Sequence, residues 1–289
     1  MRIQLNKSKM LSFQKKILSS KKKSLKEAFY EVLHSYELIF FLVRRDFVVL
    51  YKQTVLGPIW YLLQPIITSF VFLIIFNKFA KLSTYEIPGI LFYMIGNIAW
   101  VFFSTSFNSV SLTLINNADL YRKVYFCRLA PPIATTIVHL IKFFFQFLLF
   151  IALYLILIIN GYKTKIDFSI LYLPLFLIHL TILVFSIGLL VSSITIKYRD
   201  LVFALSFGVQ MLMFATPVVY SFQSIPEKFK FFAFINPLMP IFENIRNCLF
   251  GAPFIDFNYY LTSLLITLIV LVFSVKNFLN YEKSFIDTI

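Results

Sequence analysis

The sequence predicts an all-α integral membrane protein. It should have six transmembrane helices, an N-terminal amphipathic interfacial helix, short external re-entrant helices before the last span, and both termini in the cytoplasm. Three observations carry this expectation. The 289 residues are 60% hydrophobic and only 14% charged, too little charge to coat a soluble domain of that size. Apolar runs longer than about 18 residues recur, which a water-soluble core rarely needs. Those runs are continuously apolar, whereas a membrane β-barrel would alternate polar and apolar residues in segments of about ten.

The elements follow in chain order. Residues 1–24 are polar and basic and are expected to form a disordered cytoplasmic tail. They contain no apolar core of the kind that precedes a signal-peptide cleavage site. From Leu25 to Lys52, apolar residues such as Phe29, Val32, Tyr36, Ile39, Val43 and Phe47 recur at steps of three and four. Lys26, His34, Glu37, Arg44 and Arg45 fall mainly on other faces, the pattern of a helix lying in the membrane interface. The transmembrane domain takes 53–289. Thr54–Pro58 bends the chain into the first span, and Pro58 suits a first helical turn, where its missing N–H is not needed. Pro65 lies deeper, should kink the span, and requires neighbours to satisfy the backbone group it frees.

The six expected spans are Leu56–Phe76, Ile90–Leu114, Pro131–Ile159, Ile170–Ile194, Leu201–Tyr220 and Tyr259–Leu279, each near the length that crosses about 30 Å of hydrocarbon. Counting Lys276 at the inner end of the last span with the C-terminal tail, 19 Lys and Arg residues fall on the side of the termini and seven on the other, with Lys142 deep inside a span. The positive-inside bias therefore puts both termini in the cytoplasm. It also explains the net charge of +14 without nucleic acid. Cys127 and Cys248 fall on opposite sides, so no disulfide joins them within one chain. The stretch from Ser221 to Phe257 is rich in Phe, which suits short helices dipping into the outer half of the membrane. In it, Asn236–Pro237 reads as a helix start and Gly251 as a stop.

Chemistry is mostly excluded. No two of the seven glycines have the spacing of a phosphate-cradling loop. His34, His139 and His179 each lack an acidic residue four or five positions later, and no metal cluster or paired carboxylates are expected in the spans. No catalytic residue, metal or cofactor is expected in this chain. His139, Lys142 and Gln146 share one helical face. They suit the polar wall of a conduit, a contact between helices, or, for Lys142, a side chain reaching back to the interface. The short loop "NNADLYRKVYFCRL", Asn116–Leu129, is charged and aromatic, with Pro131 and Pro132 following. Asn117 is placed to cap a short helix with Asp119 in its first turn. Tyr121, Tyr125 and Phe126 make the loop a docking knob for another protein rather than a plain turn.

Five motifs occur in order: "RRDFVVLYKQTVLGPIWYLLQP" from Arg44, "NNADLYRKVYFCRLAPP" from Asn116, "KYRDL" from Lys197, "TPVVY" from Thr216 and "NPLMPIFENIRNCLFG" from Asn236. Together they resemble the permease subunit of ABC-2 type polysaccharide exporters, which move O-antigen, teichoic acid or capsule. The family pattern usually has proline where this chain has Cys127. The resemblance implies two copies of this chain with two ATP-binding subunits, which alone carry ATP and Mg. The expected cargo is a lipid-diphosphate-linked polysaccharide, most often O-antigen, and the expected location the bacterial inner membrane. By the same resemblance, Asn117, Asp119, Leu120, Tyr121, Arg122, Lys123, Val124, Tyr125, Phe126 and Arg128 match the coupling helix that docks on the ATPase. Lys197, Tyr198, Arg199 and Asp200 lie on the same side. Arg44, Arg45, Tyr51 and Lys52 would border a lateral opening near the lipid diphosphate. Rival classes each lack a feature. An ion-coupled transporter needs carboxylates in the spans, and a glycan-modifying membrane enzyme needs a catalytic cluster. A drug- or lipid-exporting permease would share the architecture.

Overall fold

A computed structural model describes residues 24–52, 57–123, 126–163, 167–195, 198 and 200–288. The described residues are mostly helical, with no strand among them. In order they form α1 (Leu25–His34), α2 (Tyr36–Lys52), α3 (Gly57–Phe72, continued by a π-helical stretch Leu73–Phe79), α4 (Gly89–Ser111), α5 (Thr113–Asn116) and α6 (Ala118–Lys123). Then come α7 (Ala130–Ile159), α8 (Leu173–Thr195, preceded by a 3₁₀ turn Phe168–Tyr172), α9 (Leu201–Phe214), α10 (Phe232–Ile235), α11 (Leu238–Phe250) and α12 (Phe257–Thr288).

Among the described residues, five helices are long and apolar enough to cross a membrane: Ile59–Phe79, Gly89–Ser111, Ala130–Ile159, Phe168–Thr195 and Phe257–Asn280. The expected fifth span, Leu201–Tyr220, differs. Its helix stops at Phe214, giving about 21 Å at 1.5 Å per residue. Pro217 cannot continue a helix, and Ala215–Ser221 runs as an irregular turn in which Thr216–Val219 and Ser221 are buried. The expected amphipathic helix is also interrupted. Ser24 and Glu27 form a capping box that starts α1. Ser35 then turns the chain, its hydroxyl donating to the Glu31 carbonyl at 2.7 Å, and α2 begins.

α4 is the central column, packed on α3, α7, α8 and α9. Gly188 lets α8 approach it, since a Cβ there would stand 2.9 Å from Val110. The main core runs from Ile87 through α4, α7, α8 and α11, and it includes Phe92, Phe103, Phe143, Phe150, Leu183 and Phe242. A second, smaller core closes one end of the bundle. There Ala28 and Leu42 meet Leu114, Tyr121, Cys127, Ala130, Leu189 and Phe278. The N-terminal helices and the last third of α12 therefore gather at the same end. α3 is the least enclosed of the long helices, with Trp60, Ile67 and Phe70 more than half exposed.

Candidate functional site

The docking loop is built into the smaller core. α4 ends at Ser111, and α5 and α6 follow as two short turns. The Asn117 amide nitrogen donates back to the Thr113 carbonyl at 2.9 Å, so its side chain closes α5 rather than capping α6. Its side-chain oxygen accepts from Arg45 of α2 at 3.4 Å, and Arg45 also pairs with Asp46 at 2.7 Å. Tyr121 is buried, stacks on Phe126 with ring centroids 5.2 Å apart, and donates its hydroxyl to the Arg128 carbonyl at 3.2 Å. Leu120 packs partly buried against the same core. Burial raises the Cys127 thiol above its ordinary range. The loop and the N-terminal helices thus form one packed body. α2 in turn packs on α7 and α3.

Other expected site residues fall as follows. Val124, Tyr125, Lys197 and Arg199 lie outside the described residues, as do the side chains of Tyr51, Asp119, Arg122 and Lys123. Tyr198 and Asp200 are exposed just before α9, and Arg44 and Lys52 are exposed on α2. His139, Lys142 and Gln146 each touch another helix. His139 Nε2 lies 2.9 Å from Ser109 Oγ. Lys142 Nζ sits 5.0 Å from the Tyr61 ring centroid. Gln146 Nε2 donates to the Tyr61 carbonyl at 3.1 Å. That carbonyl is the one whose helical partner would be the N–H of residue 65, and Pro65 has none. Gln146 therefore supplies the hydrogen bond that Pro65 withholds.

A second site, at the opposite end, was not evident from sequence. Glu243 and Arg246 of α11 are both fully buried, with Oε1 and Nη1 2.8 Å apart. Arg246 donates further to three carbonyls of the irregular turn: Pro217 at 2.6 Å, Val218 at 2.6 Å and Tyr220 at 3.3 Å. Its guanidinium lies 3.8 Å above the Phe92 ring. Glu243 accepts from the Tyr85 hydroxyl at 3.1 Å and the Phe222 amide at 3.2 Å. Burial, then the charge of Glu243, pushes the Tyr85 phenol up to about 12. Asn236 takes the turn from its other side, donating to the Ala215 carbonyl at 3.0 Å. Gly96 admits the turn, because a Cβ would stand 2.6 Å from the Val218 oxygen and 2.8 Å from Arg246 Nη2. The sequence signal was there: a Glu and an Arg three positions apart in an apolar stretch.

The model of the family described as "ABC-2 type transporter" matches residues 37–250. The chain belongs to the ABC-2 type transporter family. This ABC-2 chain is 25% identical over 258 residues to a protein of Klebsiella pneumoniae named O-antigen export system permease protein RfbA, covering 88% of this chain and 96% of that protein. A second Klebsiella pneumoniae protein of the same name is 24% identical over equal shares of both chains. A Myxococcus xanthus protein of that name is 26% identical over 193 residues, 66% of this chain and 71% of its own length. The family match spans the docking loop, the Gln146 bond and the Glu243–Arg246 network alike. In this multi-pass ABC-2 protein both sites therefore belong to the matched domain and not to an addition at its edges.

Proposed function

We propose that this chain is the permease subunit of an ATP-driven exporter of a lipid-linked polysaccharide, most consistent with O-antigen, in the bacterial inner membrane. The carrying observation is similarity to O-antigen export permeases over 88% of this chain within an ABC-2 domain. Two copies of the chain work with two ATP-binding subunits. The chain crosses the bilayer six times with both termini inside, and α9 together with the pinned turn Ala215–Ser221 makes the fifth crossing. α10 and α11 dip into the outer half of the membrane. The packing of α11 beside the first turns of α4 and α12 supports that depth: Ser263 Oγ donates to the Pro237 carbonyl at 2.6 Å, and Arg246 reaches Phe92.

The docking loop passes the ATPase's movement to α2 and so to α3 and α7. A coupling of this kind requires contacts that differ between the two states. The test is affinity purification of the tagged chain from its native cells, followed by a surface-polymer assay with Phe126→Ala. An ATP-binding subunit should co-purify with the wild type, and the variant should lose that subunit and surface polymer while keeping its own membrane level. A chain that purifies without an ATPase, or a variant with both ATPase and export intact, refutes the reading.

A further inference from the structure

We propose that Lys142 and Tyr61 form a binding site for a lipid-borne phosphate at the end of the bundle that holds the docking loop. Three observations meet here. First, Lys142 is partly buried between α7 and α3 with its ammonium on the Tyr61 ring. Among the described residues it has no carboxylate or hydrogen-bond partner. An ammonium carries three donors, and a ring face satisfies the charge only in part. At least two donors are left for something other than this chain.

Second, the depth is that of a headgroup. Gln146 is fixed level with Tyr61 by its hydrogen bond, and Tyr61 is in the first turn of the apolar run that starts at Ile59. Lys142 lies one helical turn, about 6 Å, nearer the docking end than Gln146. Its ammonium therefore meets α3 where the hydrocarbon layer would begin. The first twelve residues of α7 continue past that level into the smaller core around Ala130 and Ala134. This resolves why a lysine is tolerated so far along a helix that is apolar throughout.

Third, the place is accessible from the side and lies against the C-terminal half of α2. Phe144 and Phe145 beside Lys142 are nearly half exposed. Phe145 stacks on Phe47 of α2 at 6.4 Å, and α2 ends in the exposed Lys52 just before α3 begins. A phosphate in this notch accepts from Lys142 while its lipid chain lies along the exposed faces of α3 and α7. Charge-assisted hydrogen bonds to phosphate are among the stronger ones available to a lysine.

The phosphate has two sources, the diphosphate of a polyprenyl carrier or the headgroup of an ordinary phospholipid. Only the first rests on the export reading. The experiment uses the full chain in phosphatidylcholine nanodiscs. It measures binding of a C20 polyprenyl diphosphate, and separately retention of phosphatidylglycerol by native mass spectrometry, for wild type, Lys142→Met, Lys142→Arg and Tyr61→Leu. Lys142→Gln replaces the Met variant if that variant is not recovered in nanodiscs. The expected result is roughly a tenfold weakening for the neutral variants, a smaller loss for Tyr61→Leu, and near-wild-type binding for Lys142→Arg. A loss confined to the polyprenyl diphosphate identifies a carrier site. A loss confined to phosphatidylglycerol keeps the phosphate site while counting against a role in export. Equal binding of both probes by wild type and the neutral variants, or no binding by wild type, overturns the proposal.

Discussion

Replacing Arg246 with Met should unlock the end of the molecule opposite the docking loop. The side chain is 1% exposed and donates to Glu243 and to the carbonyls of Pro217, Val218 and Tyr220. Its loss strands a buried carboxylate and three buried carbonyls. Removing one partner of a buried ion pair costs about 3–5 kcal/mol, and an unsatisfied buried acceptor costs about 1–3 kcal/mol. The penalties overlap because the turn can relax, so about 3 kcal/mol is the cautious figure for local opening. That corresponds to roughly a hundredfold change in an equilibrium constant. Cys248 provides the readout, because it is fully buried on α11 in the main core. With Cys127 changed to Ser, Cys248 is the only thiol in the chain. Its maleimide labelling under native conditions then reports the open fraction. The Met variant should label about a hundredfold faster than its parent. Arg246→Lys should fall between, since a single ammonium cannot span acceptors that a planar fork reaches together. Labelling of the Met variant at the parent's rate would show that the network does not hold α11 in place.

Four further outcomes follow from the same geometry. Gln146→Leu should lower stability by about 1–3 kcal/mol by orphaning the Tyr61 carbonyl, and adding Pro65→Ala should recover much of it by restoring an N–H at residue 65. A double-mutant cycle by thermal unfolding in detergent checks this. Gly96→Ala should accelerate Cys248 labelling as Arg246→Met does, because the methyl would collide with the Val218 carbonyl and with Arg246. Labelling of Cys127 in a Cys248→Ser background should be unaffected by Arg246→Met, since Cys127 belongs to the separate smaller core. Tyr121→Ala should expose Cys127 and leave Cys248 protected, as Tyr121 closes that core over Phe126.

The helical membrane class was legible because it depends on long-range averages of polarity, which a single sequence carries fully. Pro65's need for an outside donor was legible too, because proline's missing N–H is a local fact. The donor, Gln146, is 81 positions further on in sequence and required the fold. The helix of the expected fifth span ends earlier than its hydropathy suggests, because hydropathy sees composition and not termination. Leu201–Tyr220 is apolar throughout, yet Pro217 and the carbonyl acceptors offered to Arg246 and Asn236 turn its last third into an irregular segment. The break at Ser35 escaped notice because a serine inside an amphipathic pattern is unremarkable until its hydroxyl is seen bonding back to Glu31. The Glu243–Arg246 pair was hidden for a related reason. Charges between two apolar runs read as loop charges, and only tertiary burial shows that they face each other in the interior.

That pair also bears on the source of energy. The five long apolar helices contain no Asp or Glu within the bounds Ile59–Phe79, Gly89–Ser111, Ala130–Ile159, Phe168–Thr195 and Phe257–Asn280. Glu243 is thus the acid nearest to serving an ion gradient, since ion-coupled carriers use carboxylates inside the membrane. To do so it would have to exchange a proton or cation with water. Instead it is 0% exposed and saturated by Arg246, Tyr85 and the Phe222 amide, and breaking those bonds would strand the guanidinium beside it. A carboxylate held this way stabilises one shape and does not cycle. Thr136, His139, Gln146 and His179 in the long helices bond to backbone carbonyls or to other side chains, while Tyr93, Asn97, Ser106, Ser111, Ser192 and Tyr260 each keep a buried polar atom without a partner. On the proposed export reading the push comes from outside, and the packed body of α1, α2 and the docking loop is where it would reach α3 and α7.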